Sequence, residues 1–262
     1  MTVDIAHLLS QDALTEAVDT AVSAVKVAPQ DANIRVTLAQ LLALSGDLAR
    51  AETHAKMAQT LDMERAMALS VFRQHLRALD ARDAWWANGA TPEFPGKPTQ
   101  ADAAAMALQV ALRDGDLTQA ASCAATLEDI RVPTPACWDG AAVDDLRDVD
   151  DRLPHALEAL TAGGHYLWID FARVARLELM PVAAPFDLLA RSARVTLRDG
   201  AGADVRLVAI YDGPRGATER LGRMTDFSEL APGLVRGHGQ RAFLAGDTLV
   251  GILDPTEVVF DV

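Results

Sequence analysis

Asn33 to Met63 reads NIRVTLAQLLALSGDLARAETHAKMAQTLDM, and the fold turns on how this stretch is understood. Leu38, Leu41 and Leu42 share one helical stripe, and Ala51, Ala55 and Ala58 make another at i, i+4, i+7 spacing. Between them Ser45-Gly46-Asp47 supplies a helix stop, a residue that tolerates positive φ, and a carboxylate to cap the next helix. The stretch is therefore predicted to be an αα-hairpin. Alanine on the facing side of its second helix lets the two backbones approach closely, which bulkier side chains would forbid.

The pattern repeats in both directions. Ala17 and Ala24 precede Ala51 and Ala58 by 34 residues, and Leu14-Thr15-Glu16-Ala17 matches Leu48-Ala49-Arg50-Ala51. A further copy appears at Leu112-Arg113-Asp114-Gly115-Asp116-Leu117-Thr118-Gln119-Ala120. A helix-turn-helix unit of this period, with small residues at its close contacts, resembles the tetratricopeptide repeat, although the Trp, Tyr and Phe of that consensus are missing. Residues 4–28 give the first hairpin, closed by Pro29, and Glu64 to Leu79 one more helix with Leu69, Phe72, Leu76 and Leu79 on a single face. Asn88 to Thr99, NGATPEFPGKPT, carries three prolines and two glycines and is expected to be irregular. It delays the third repeat to about Asp102, and Val132-Pro133-Thr134-Pro135 ends the helical part.

After about Asp139 the character changes. Asp144, Asp145, Asp148, Asp150 and Asp151 lead into a segment expected to be a short helix, with Leu153, Leu157 and Leu160 as its stripe and Asp150 or Asp151 as its cap. A calcium reading of this acidic run fails, because the central Gly and terminal Glu of an EF-hand are absent. Beyond Gly163-Gly164 the runs are strand-like: Tyr166 to Ile169, Val174 to Leu179, Arg194 to Arg198 turning through Asp199-Gly200-Ala201-Gly202 into Val205 to Tyr211, the hairpin Arg241 to Leu253 around Ala245-Gly246-Asp247, and Glu257 to Val262. Their connections are too short for parallel crossovers. The expected fold is α+β with two domains: a tetratricopeptide-like helical repeat domain over residues 1–137 and a small α+β domain with an antiparallel sheet over 138–262.

Composition excludes several classes of function. The net charge of −13 is spread evenly, with 18 acids and 11 bases in residues 1–140 and 19 acids and 13 bases after them, so nucleic acid and anionic membranes should be repelled. No apolar run approaches the roughly 18 residues that cross a bilayer. No basic residue precedes Lys26, which argues against a secretory signal. The two cysteines, Cys123 and Cys137, form neither a CxxC motif nor a disulfide framework, and a reducing cytoplasm fits them.

No zinc-type histidine spacing, nucleophile elbow or phosphate loop occurs, so neither a metal nor a cofactor is expected. The densest polar segments are Leu221-Gly222-Arg223-Met224-Thr225-Asp226-Phe227 and Arg236-Gly237-His238-Gly239-Gln240-Arg241. One reading makes Arg223, Asp226, His238 and Arg241 the working groups of a small hydrolase or of a nucleotide- or anion-binding module. The favoured reading is an internal network in which Arg forks tie loops to Asp226 and to carbonyls, with the glycines permitting tight turns.

Those two segments, with Asp150-Asp151-Arg152-Leu153, resemble the signature of the ImpE family, also called TagJ; its residues here are Asp151, Arg152, Gly222, Arg223, Thr225, Asp226, Arg236, Gly237, Gly239, Gln240 and Arg241. Phe227 stands where the family usually has Trp, so no role for an indole N–H carries over. The resemblance implies a non-enzymatic adaptor of bacterial type VI secretion. Such an adaptor binds the N-terminal segment of the small sheath subunit and is linked to the AAA+ unfoldase that recycles contracted sheath. In a tetratricopeptide-type hairpin the first helix lines the groove, which places Asn33, Val36, Gln40 and Leu44, then Asp102, Ala105, Gln109 and Arg113, against such a peptide.

Overall fold

In a computed structural model, which describes residues 4–213 and 216–260, the chain opens as a run of helices. They are α1 (Ile5–Ser10), α2 (Leu14–Val27), α3 (Ala32–Leu44), α4 (Leu48–Leu61), α5 (Ala66–Asn88), α6 (Gln100–Asp114) and α7 (Leu117–Ile130). Aspartates start four of them, with Asp4 accepting from the Ala6 amide at α1. Asp31 accepts from the Asn33 and Ile34 amides, Asp47 from Arg50, and Asp116 from Gln119, each satisfying first-turn donors that have no helical partner. Gly46, at φ +88°, reverses the chain between α3 and α4. Ala51, Ala55 and Ala58 are completely buried, as their stripe requires.

Helix α5 runs on to Asn88, past the predicted end at Leu79. Its apolar stripe continues through Trp85, but Arg82 interrupts it, and a buried charge defeats a reading based on hydrophobicity. Gly89 to Thr99 lacks helix or strand of its own, yet Glu93 is held to the next region by two main-chain bonds, Glu93 N to Tyr166 O (2.9 Å) and Trp168 N to Glu93 O (2.9 Å).

The remaining elements are β1 (Ala136–Trp138), β2 (Ala141–Val143), β3 (Leu146–Asp148), β4 (Ala156–Thr161), β5 (Tyr166–Asp170), β6 (Val174–Leu179), α8 (Pro185–Leu189), β7 (Ala190–Leu197), β8 (Gly202–Val208), α9 (Ala217–Arg220), β9 (Thr225–Ala231), β10 (Leu234–Gly239), β11 (Ala242–Ala245), β12 (Thr248–Gly251) and β13 (Glu257–Val259). The main sheet has the order β2-β1-β13-β6-β7-β8-β4-β5, with every neighbouring pair antiparallel. A three-stranded sheet β12-β11-β3 and the β9–β10 hairpin complete the region. The fold is α+β, helices first and antiparallel sheet second. The last two residues of the predicted final strand, Asp261 and Val262, lie outside the described residues.

The short helix predicted over Leu153 to Leu160 is instead the strand β4. Leu157 and Ala159 point into one hydrophobic cluster, and Ala156 and Leu160 into the other. A strand buried on both faces shows no polar alternation, so its leucines imitate a helical stripe. Asp150 and Asp151 consequently cap no helix.

The first cluster joins α2 to α7 with the sheet face that carries Ala156, Leu160, Tyr166, Trp168, Phe186 and Val208. The second lies between the main sheet and the three-stranded one, around Leu146, Leu157, Phe171, Leu207, Phe243 and Val258. The expected boundary at residue 137 falls inside β1, and the first core runs across it.

One consequence of this packing is a pH dependence. His75 on α5 is 8 % exposed, stacked on Phe186 with centroids 6.5 Å apart. Burial, with the Arg206 charge adding to it, pushes its imidazole down to about 4. Since an unfolded histidine titrates near 6.5, the contribution is present in full above that pH and is lost as pH falls toward 4, at about 1.4 kcal/mol per unit. Urea unfolding at stepped pH should show this loss of roughly 2–3 kcal/mol in the parent and a flatter profile in His75→Phe. Identical profiles would rule the histidine out.

Candidate functional site

Where α5, β4 and the Asp148–Leu153 turn meet the end of β10, the protein buries a set of charges. Arg82 donates its Nε to Glu158 Oε1 (2.7 Å) and an Nη2–H to Oε2 (3.0 Å), and Trp86 and Tyr166 also donate to Oε1. Arg241 donates to the same carboxylate and, at 2.6 Å, to Asp148 Oδ2, while stacking over the Tyr211 ring. Asp148 also accepts from the Tyr211 hydroxyl (2.7 Å) and the Asp150 amide (2.9 Å). Burial alone would raise the Glu158 carboxyl, but Arg82 and Arg241 outweigh it and bring it down to about 2.

A second group adjoins the first. Arg152 forks onto Asp150 through Nε (2.8 Å) and Nη2 (2.5 Å), reaches Asp212 Oδ1 at 2.6 Å, and lies over the Trp86 ring. Arg236 donates to the Asp212 carbonyl (3.0 Å) and carboxylate (3.1 Å). The four cations Arg82, Arg152, Arg236 and Arg241 thus face the four anions Asp148, Asp150, Asp212 and Glu158, and the set is neutral. Its chemistry is cohesive: every carboxylate is engaged by arginine, leaving no free base or nucleophile among them.

The motif glycines have their own geometry. The Gly237 amide donates to Asp150 Oδ2 (3.1 Å), and a Cβ there would sit 2.4 Å from the Tyr211 ring. Gly239 has φ +74° and would place a Cβ 2.2 Å from the Met224 carbonyl oxygen. Asp151 Oδ2 accepts from the Val235 amide (2.6 Å), Gln240 donates to the Gly222 carbonyl (2.5 Å), and the Thr225 hydroxyl donates to the Gln240 carbonyl (2.8 Å). Most of the motif therefore wires β9, β10 and their flanking turns to the buried charges.

Asp226 departs from the expectation. It is exposed and accepts only from the neighbouring Phe227 amide, so the arginine forks do not reach it. Arg223 is also exposed, 3.6 Å from Asp12. His238 lies across the ladder from Asp226 and shares a hydrogen bond with the Ser228 hydroxyl at 2.7 Å. Arg241 is buried and engaged by Asp148 and Glu158. The four residues suggested for a hydrolase or anion site do not converge.

The expected peptide groove is largely internal. Leu44 is 1 % exposed: α8 packs on α3, and Arg220 donates to the Leu44 carbonyl (3.4 Å). Asp102, Ala105 and Gln109 are buried; Asp102 closes a capping box with Thr99, and Gln109 donates to the Trp86 carbonyl (3.4 Å). Arg113 donates to the Trp85 carbonyl and covers the Trp85 ring. Asn33, exposed, accepts from Arg65 (2.8 Å), and Val36 and Gln40 are half-buried. The second region thus covers Leu44 and Asp102, and α5 covers Gln109 and Arg113, on the face that a peptide was expected to occupy.

A separate open groove exists among the helices. It lies between α4 and α5, encloses 480 Å³, and is lined by Leu48, Glu52, Arg73, Gln74, Arg77 and Asp80 among others. Glu52 Oε2 and Gln74 Oε1 are buried without a hydrogen-bond partner, and Arg77 and Asp80 are exposed beside them.

Sequence reading missed Arg82, Glu158, Tyr166, Tyr211 and Asp212. Glu158 had a signal: a lone carboxylate within Leu153 to Leu160, an apolar run, needs a buried cation.

Comparison with known proteins agrees with these features. The ImpE protein family matches residues 140–259, which include the β9–β10 hairpin and nearly all of the buried charges. A crystal structure of a Vibrio parahaemolyticus protein superposes with a TM-score of 0.90 at 23 % identity, over 97 % of this chain and 96 % of that one, and so shares its fold. The type VI secretion system accessory component TagJ of Pseudomonas aeruginosa is 30 % identical over 97 % of this chain and 90 % of its own length. With the motif residues in place and the likeness extending through the helices, the chain belongs to the ImpE family.

Proposed function

We propose that the protein is a non-enzymatic adaptor of a type VI secretion system, acting in the cytoplasm. It would hold the amphipathic N-terminal segment of the small sheath subunit and be linked through it to the AAA+ unfoldase that recycles sheath. The observation that carries this reading is the near full-length similarity to an accessory component of that system. The absence of convergence among Arg223, Asp226, His238 and Arg241 supports the non-enzymatic part. No helix among the described residues is long and apolar enough to cross a membrane.

The α4–α5 groove is the better seat for the segment. It offers aliphatic surface from Leu48 and Ala49, two unpartnered acceptors to fix register, and charges of both signs at Arg77 and Asp80. Calorimetric titration of a peptide copying the sheath segment into the full chain should give a 1:1 complex. Arg77→Glu with Asp80→Arg, two exposed positions, should weaken binding at least tenfold, about 1.4 kcal/mol. Parental affinity in that double variant would move the site elsewhere, and no binding by the parent would remove the sheath partner.

A further inference from the structure

Outside the arginine network, a second polar cluster is buried where α6 meets the main sheet. Asp102 comes from the first turn of α6, His155 from the turn before β4, and Asp170 from the end of β5. One donor atom from each lies within 4.8 Å of the other two, and their residues are 1 %, 3 % and 7 % exposed. Three segments far apart in sequence supply them, so no spacing in the chain announces the set.

Each carboxylate is held in place by one main-chain amide. Thr99 N donates to Asp102 Oδ2 (2.7 Å) and Ala172 N to Asp170 Oδ1 (2.9 Å). That leaves Asp102 Oδ1, 3.0 Å from His155 Nε2, and the second oxygen of Asp170. Among the described residues no arginine or lysine is paired with either acid. Two buried carboxylates therefore face one imidazole. Its Nδ1 is itself buried without a hydrogen-bond partner. The His155–Asp102 pair alone leaves the Asp170 side chain without a basic partner, a costly arrangement in a protein interior.

We infer that Asp102, His155 and Asp170 bind one divalent transition-metal cation, with Zn²⁺ as the best match. One imidazole nitrogen and two carboxylate oxygens make a three-ligand zinc set that leaves a fourth position for water. The all-oxygen preference of Mg²⁺ and Ca²⁺ fits it less well. The amides of Thr99 and Ala172 already orient both carboxylates, as outer-shell donors do in metal centres. Such an ion pins α6 to the β4–β5 edge.

The test uses the full chain, stripped with a chelator and titrated with Zn²⁺ at pH 7.5. Calorimetry should give a stoichiometry of one, and the melting temperature should rise with added Zn²⁺. Asp170→Asn keeps an oxygen for the Ala172 amide and so remains folded, but should bind Zn²⁺ at least tenfold more weakly. His155→Ala should lose the melting shift. Cys123, Cys137 and the other histidines persist in both variants and control for adventitious binding. If the stripped parent gives neither heat nor melting shift, or if folded Asp170→Asn binds Zn²⁺ as the parent does, the site is overturned.

Discussion

Glu158→Gln is expected to lose about 3–5 kcal/mol of folding stability, because it leaves Arg82 and Arg241 buried against a neutral amide. Five donor groups converge on this carboxylate, from Arg82, Arg241, Trp86 and Tyr166, and an amide can match only part of that demand. Urea unfolding followed by circular dichroism and tryptophan fluorescence gives the measurement. Both probes should report one transition in the parent, since the first core runs across the helical and sheet regions. A quadruple variant, Arg82→Met, Asp148→Asn, Glu158→Leu and Arg241→Met, should recover much of the loss, because it removes both cations together with both carboxylates that they pair. A glutamine variant within 1 kcal/mol of the parent would show that the network contributes little.

Trp168→Ala should be comparably damaging, at about 3–5 kcal/mol. The indole is 1 % exposed, meets Trp85 edge-on at 5.1 Å and Phe94 at 6.1 Å, and donates to the Tyr166 hydroxyl at 2.7 Å. Its removal opens a cavity shared by α5, the Asn88–Thr99 segment and β5. That segment should then become the first point of attack in limited proteolysis, because Phe94 loses its ring partner. Unchanged cleavage and a loss under 1 kcal/mol would mean that the surroundings collapse to fill the space.

The helical hairpins were legible because their signals are local. Asp31, Asp47 and Asp116 cap, Gly46 turns, and Ala51, Ala55 and Ala58 set a contact distance, all within a few residues of one another. The hairpin around Gly246 was legible for the same reason. β4 was not, because burial on both faces erases the alternation that marks a strand. Nor was the extent of α5, where Arg82 breaks an apolar stripe in order to meet a residue 76 positions away. The burial of Leu44 and Gln109 escaped by the same logic: periodicity shows that they are inward-facing, but not whether a partner or the chain itself covers them. The signature around Gly237 and Arg241 was visible, and its physical role emerged only with Asp148, Asp150 and Tyr211 beside it.

The long reach of the Glu158 contacts has a consequence for synthesis. The ribosome releases the helices first, with Leu44, Trp85 and Arg82 lacking the surfaces that later cover them. Arg241, the last member of the charge set, emerges 83 residues after Glu158, so the carboxylate waits half-compensated until that stretch has been made. Such late closure favours slow assembly and leaves nascent protein open to aggregation. Truncation ahead of Arg241 would therefore be felt at α5, far earlier in the polypeptide.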